Sequence, residues 1–197
     1  MLYLSQQTKN FLGVIGLVIA TVLIFRFLSS GGMPQEFIDA RIQGAMISQN
    51  IVNLSNQSVD DIGKINQLEK QGNFVEATNV TLETIQKSKE IRDQAVQLSN
   101  QVSKMTSSLS DIKSFEARQA ALEAISNRLA LISRLINYSD YLNQLLQALQ
   151  AKFAGQPGNN NVELVISQIN AEVTAINSFN NQATQAMNRF DAVVNGR

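Results

Sequence analysis

The side chains available for chemistry in this chain are carboxylates, amines, hydroxyls and phenols, because its 197 residues include no His, no Cys and no Trp. That inventory excludes imidazole bases, thiolate nucleophiles, disulfides, zinc fingers and haem attachment through CxxCH. Acid–base chemistry would fall to paired carboxylates, and the only adjacent pair is Asp60-Asp61. A carboxylate held in an apolar seam has a raised pKa, the condition for a general acid. Asp61 falls at a core position of a helical repeat beside Ser58, which would put it there. Local rotation of the helix to present Val59 and Ile62 leaves both carboxylates in water instead, and it is favoured because ionised carboxylates are rarely buried unpaired. A di-metal carboxylate centre needs Glu-x-x-His pairs on facing helices, and without His none forms. No catalytic, cofactor-binding or metal-ligating residue is therefore assigned.

Three further polar features could bind rather than react. Asn180 interrupts an otherwise apolar repeat; such an Asn fixes register or partner number when buried, or is merely solvated at a bundle edge. Tyr138 and Tyr141, three apart, could line a ligand slot, although this spacing more often means partly buried rings with hydroxyls reaching water. Thr81, Thr84 and Ser88 make one stretch small and polar, and across a turn at Gly72 they reach the level of Ser58 and Asp61. That set reads either as a ligand pocket or as a polar layer that sets register, the second being favoured.

The elements that position these groups are helices. Between Pro34 and Pro157 the apolar residues recur at alternating three and four spacing, with few glycines to interrupt them. The last segment is the clearest, running Val162, Ile166, Ile169, Val173, Ile176, Asn180, Ala183, Met187, Phe190 and Val194 in strict 4-3 alternation, a seam of coiled-coil type. A second runs from Phe74 through Ala77, Ile91, Leu98 and Met105 to Ile112, and a first from Phe37 to Leu68. The third carries two stripes, one of Leu122, Ile125, Leu129, Ile132 and Ile136, the other of Leu131, Leu135, Tyr138, Leu142, Leu145 and Leu149. So wide a face predicts the most buried helix. Gln71-Gly72-Asn73 and residues 155–161 read as turns; Ser110, Asp111 and Ser114 are candidate N-caps for a turn that divides the second helix from the third, the alternative being one continuous helix from Phe74 to Phe153.

The predicted architecture is all-α: a transmembrane anchor at 1–28, a Gly/Ser/Pro hinge at 29–34, and at 35–197 an antiparallel up-down-up-down four-helix bundle. Its helices are expected at about 35–71, 74–111, 115–153 and 161–194. The anchor rests on FLGVIGLVIATVLIF, residues 11–25, an uncharged run bracketed by Lys9 and Arg26. Extended to Leu28 it spans about 27 Å as a helix, close to a hydrocarbon core of about 30 Å. A cleaved signal peptide is the competing reading, since small residues follow the run. Flanking positive charges nearly balance, so orientation rests on the short leading tail and on the lack of Cys, which suits a compartment where thiols are a liability. Both favour a bundle outside the cytoplasm. Gly16 and Ala20 form a small-xxx-small pair that would let two anchors pack.

GNFVEA, residues 72–77, resembles the helix-start segment of tetratricopeptide-type hairpins, but over one hairpin only and without that family's Trp, Gly and Pro pattern. The layout of an amino-terminal anchor followed by about 160 helical residues is similar to that of LemA-type proteins, whose sequence signatures are absent, so no family follows from either. Lys and Arg number 16 and Asp and Glu 16, with no basic run, which argues against a nucleic-acid partner. Charged residues make up 16% of the chain, against about 25% usually, so the surface is polar but weakly charged. The expected function is a non-enzymatic, single-pass membrane protein whose partners are the lipid bilayer, through its amino-terminal helix, and other proteins or further copies of itself, through helical surfaces. It would serve as a scaffold or assembly component of a cell envelope. The alternative is a membrane-anchored sensor or adaptor with a small ligand in the Ser58, Asp61, Thr84 and Ser88 layer.

Overall fold

A computed structural model describes residues 33–156 and 162–196. They form four long helices and no strand: α1 (Gln35–Lys70), α2 (Phe74–Ser107), α3 (Phe115–Phe153) and α4 (Val162–Val194). The local chemistry explains the boundaries. Pro34 holds an extended backbone, and its carbonyl accepts from the Phe37 and Ile38 amides to open α1. The α1 end closes as a Schellman turn. Gly72 sits at φ 73°, a region open to glycine, while the Gly72 and Asn73 amides donate to the Glu69 and Leu68 carbonyls. Asn73 then caps α2 by accepting from the Glu76 amide, and the same double bond pattern recurs after α3 at Gly155 and Gln156.

The division near Ser114 is a true turn. The second helix tightens into a 3-10 turn at Ser108–Asp111, and Ser114 accepts from the Ala117 amide at 3.2 Å to start α3. The expected boundary of that helix at 111 thus includes the 3-10 turn, and α itself stops at Ser107.

Consecutive helices pack against each other, α1 on α2, α2 on α3 and α3 on α4. The contacts run in opposite directions: Glu36 meets Ser108 at one end of α1 and α2, and Lys64 meets Glu76 at the other. Phe74 likewise stacks near Phe153 at the far end of α2 and α3. The circle closes differently between α1 and α4. No Cα of α1 comes within 8 Å of one in α4, so long side chains span the gap: the Phe37 and Phe190 rings lie 5.2 Å apart, and Arg41 holds Asp191 through two bonds of 2.6 and 2.7 Å. At the opposite end Lys152 of α3 pairs with Glu69 of α1.

The expected seams line the core. From Ala77 to Met105 every seam position of α2 is buried, and so are Ile169, Val173, Ile176, Asn180, Ala183 and Phe190 of α4. Helix α3 carries the longest set of buried residues, as its two stripes predicted, but one stripe is divided. Ile125 and Ile132 are buried while Leu122 and Leu129 are exposed. Ala117, Ala121 and Ala124 point inward in their place, because they continue the repeat of Leu131, Leu135 and Tyr138 and their small size fits large residues on α2. Among the described residues no helix is long and apolar enough to cross a membrane; residues 11–25, on which the anchor rests, and the loop at 157–161 lie outside them.

Candidate functional site

Halfway along the bundle, every helix places a polar side chain in or near the core. From α1 come Ser55, Ser58 and Asp61; from α2, Thr81, Thr84 and Ser88; from α3, Tyr138 and Ser139; from α4, Glu172. Most of these groups are satisfied within the bundle. Ser58 donates to the Leu54 carbonyl at 2.8 Å and Thr81 to the Ala77 carbonyl at 2.7 Å, each on its own helix. Such back-bonding lets a hydroxyl sit in a core as a small, nearly apolar residue. Ser88 instead crosses to α3 and donates to the Ser139 carbonyl at 2.8 Å.

Asp61 behaves as neither sequence reading held. It is half-buried, and Lys87 of α2 donates to its Oδ2 at 2.6 Å, while Thr84 Oγ1 lies 3.2 Å from the same oxygen and 2.7 Å from the Val80 carbonyl. The hydroxyl has one proton and donates to one of these at a time. Asp60 is exposed. The structure therefore brings Asp61 and Thr84 together, adds Lys87, which the sequence did not single out, and sends Ser58 and Ser88 to other partners. A half-exposed ion pair of this kind contributes about 0–1 kcal/mol, so its effect is on register more than on stability.

Tyr138 is fully buried, not half-wet as its spacing from Tyr141 implied, and burial pushes its phenol up to about 12, with the nearby Ser55 hydroxyl opposing. Ser55 Oγ has no hydrogen-bond partner among the described residues. On the other flank Glu172 Oε1 accepts from Asn137 at 3.3 Å and Arg134 at 3.5 Å, leaving Oε2 unpartnered. Among the described residues no group of three or more acidic side chains is gathered as metal ligands.

A second polar cluster lies between the middle and the Pro34 end. Asn180 is buried in the α4 seam, as the apolar context allowed, and its Oδ1 accepts from Arg128 Nη1 at 3.2 Å. Arg128 lies on the repeat of Leu131, Leu135 and Tyr138, where a charged residue interrupts the apolar pattern. Counting back from Leu131 by the same alternation lands on it. The chain matches no family model, no curated protein and no solved structure.

Proposed function

We propose that this is a non-enzymatic, single-pass membrane protein whose antiparallel bundle of coiled-coil type stands outside the cytoplasm and offers a helical face to protein partners or further copies of itself. In that role it is a scaffold or assembly component of a cell envelope. The apolar run at residues 11–25 supports the anchor, and the 4-3 burial along α2 from Ala77 to Met105 and along the middle of α4 supports the coiled-coil packing.

The observation that carries the interaction reading is a line of exposed apolar residues on α3. Phe115, Leu122 and Leu129, each seven apart, are 74%, 54% and 47% exposed. Isolated exposed apolar residues are ordinary, but seven-residue spacing puts these on one helical face. The line lies three residues before Ile125 and Ile132, on the flank from which Ser139 and Asp140 reach α2. Val75, Leu82 and Val96 repeat the spacing on α2, with Lys89 at the intervening position. A partner helix laid along α3 would bury the line as a seam.

A photo-crosslinker introduced at Leu122 in cells tests this, with one at the exposed polar Gln119 as control. Discrete adducts from Leu122 and none from Gln119 are expected, and a combined Phe115→Glu, Leu122→Glu and Leu129→Glu chain should lose the association yet keep its thermal midpoint. Equal labelling from both positions, or association that survives the triple change, removes the reading. Topology has its own test, made simple by the absence of Cys: Gln71→Cys at the exposed α1 end should react with a membrane-impermeant maleimide on intact cells. Reaction only after lysis places the bundle inside. The sensor alternative draws less support, because the hydroxyls of Ser58, Thr84 and Ser88 already bond within the bundle.

A further inference from the structure

Arg128 occupies a core position of α3, four residues after Ala124 and three before Leu131, both buried. A cation so placed normally meets a carboxylate, because desolvating an unpaired charge is costly. Among the described residues its guanidinium instead makes one hydrogen bond, to the neutral Asn180 Oδ1, and takes part in no ion pair. The charge acting on it has the same sign: desolvation, and after it the Arg41 guanidinium, lower the Arg128 pKa. Arginine does not relieve such stress by losing its proton. Asp191 neutralises Arg41 through a bidentate pair, so the three ionised groups leave one positive charge uncompensated.

Arg41 belongs to α1 and Asn180 to α4, neighbouring helices with no Cα atoms within 8 Å of each other. Arg128 is half-buried rather than sealed, so part of its side chain is open to solvent. We propose that Arg128 and Asn180, in the field of Arg41, bind a small oxyanion, phosphate or a short carboxylate. A planar guanidinium presents its donors as a fork that matches two oxygens of either group, and among the described residues Arg128 donates only toward Asn180. The Asn180 amide nitrogen adds donors beside them, and the incoming negative charge balances the site.

Thermal unfolding of the full-length chain, in a nonionic detergent and a low-salt buffer free of oxyanions, tests this with added phosphate or acetate against chloride at matched ionic strength. A saturable rise in midpoint of about 5 °C is expected with one or both oxyanions and none with chloride. Response to phosphate alone assigns a tetrahedral oxyanion, and to acetate alone a carboxylate. Arg128→Met should abolish the response and raise the midpoint of the anion-free protein, since the uncompensated charge is gone. Arg128→Lys keeps the charge without the fork and should weaken apparent affinity about tenfold. Response to chloride equal to that of the oxyanions, or a response that survives in Arg128→Met, overturns the proposal. Should Arg128→Met fail to fold, calorimetric titration of the unaltered chain with phosphate and with acetate decides, and no saturable heat from either ends it.

Discussion

The two ends of the bundle fill the same space with opposite helices. Toward Pro34, α2 brings Leu98, Val102 and Met105 while α3 brings Ala117, Ala120, Ala121 and Ala124. Toward Gly72 the sizes reverse: α2 brings Ala77, Thr81, Thr84 and Ser88, and α3 brings Leu135, Tyr138, Leu142, Leu145 and Leu146. Close packing requires that summed volume stay nearly constant along the axis, so a small residue on one helix faces a large one on its neighbour. The comparison teaches that the small polar run of α2 is a steric feature first. Its hydroxyls are tolerated because backbone carbonyls accept them, and it makes room for Tyr138.

The largest expected break follows from that role. Tyr138→Ala empties the half in which α2 has nothing large to offer, and should cost about 3–5 kcal/mol in denaturant unfolding. A cost under about 1 kcal/mol would mean the α2 hydroxyls do not frame that ring. An alkaline titration sharpens the same contrast without changing the packing. The folded phenol titrates at about 12 against an ordinary 10.0. The unfolded chain therefore loses this proton first, and the stability is fully present below pH 10 and falls as pH rises toward 12. The slope is about 1.4 kcal/mol per pH unit in that window. Subtracting the profile of Tyr138→Phe isolates the contribution, and identical profiles would show that the phenol is not desolvated.

At the other end the fault to introduce is excess volume. Ala124→Leu adds side chain where α2 is already large, and should destabilise by about 1–3 kcal/mol. The smallest effect is expected at Gly44. Its added Cβ would lie 3.4 Å from Leu98 Cδ1 and 3.7 Å from Gln101 Cβ, ordinary contacts. Gly44→Ala should thus stabilise by about 0.5–1 kcal/mol through helix propensity. Destabilisation there would mean that α1 and α2 are packed too tightly for one methyl.

Much of this fold is written in short stretches of the chain. The seams of α2 and α4, the stop at Gly72 and the cap at Ser114 depend on backbone geometry within one or two turns, and each was legible, whereas Asn73 read only as part of a turn and also caps α2. Four consecutive helices followed from them. The candidate groups were half legible: Asn180 and the Ser58 to Ser88 level stood out because polar residues break an apolar period. Their partners did not, since Lys87 for Asp61 and Arg128 for Asn180 sit 26 and 52 residues away in sequence.

Periodicity, set by the rise and twist of a single helix, determined that four amphipathic helices form and where each ends. How far each helix is rotated about its own axis depends on volumes supplied by its neighbours, which no local pattern contains. The tertiary structure alone therefore decided that Leu122 and Leu129 face outward while four alanines face in, and that Tyr138 is sealed. It also placed Arg128 half-buried beside Asn180, with no acid among the described residues to meet it.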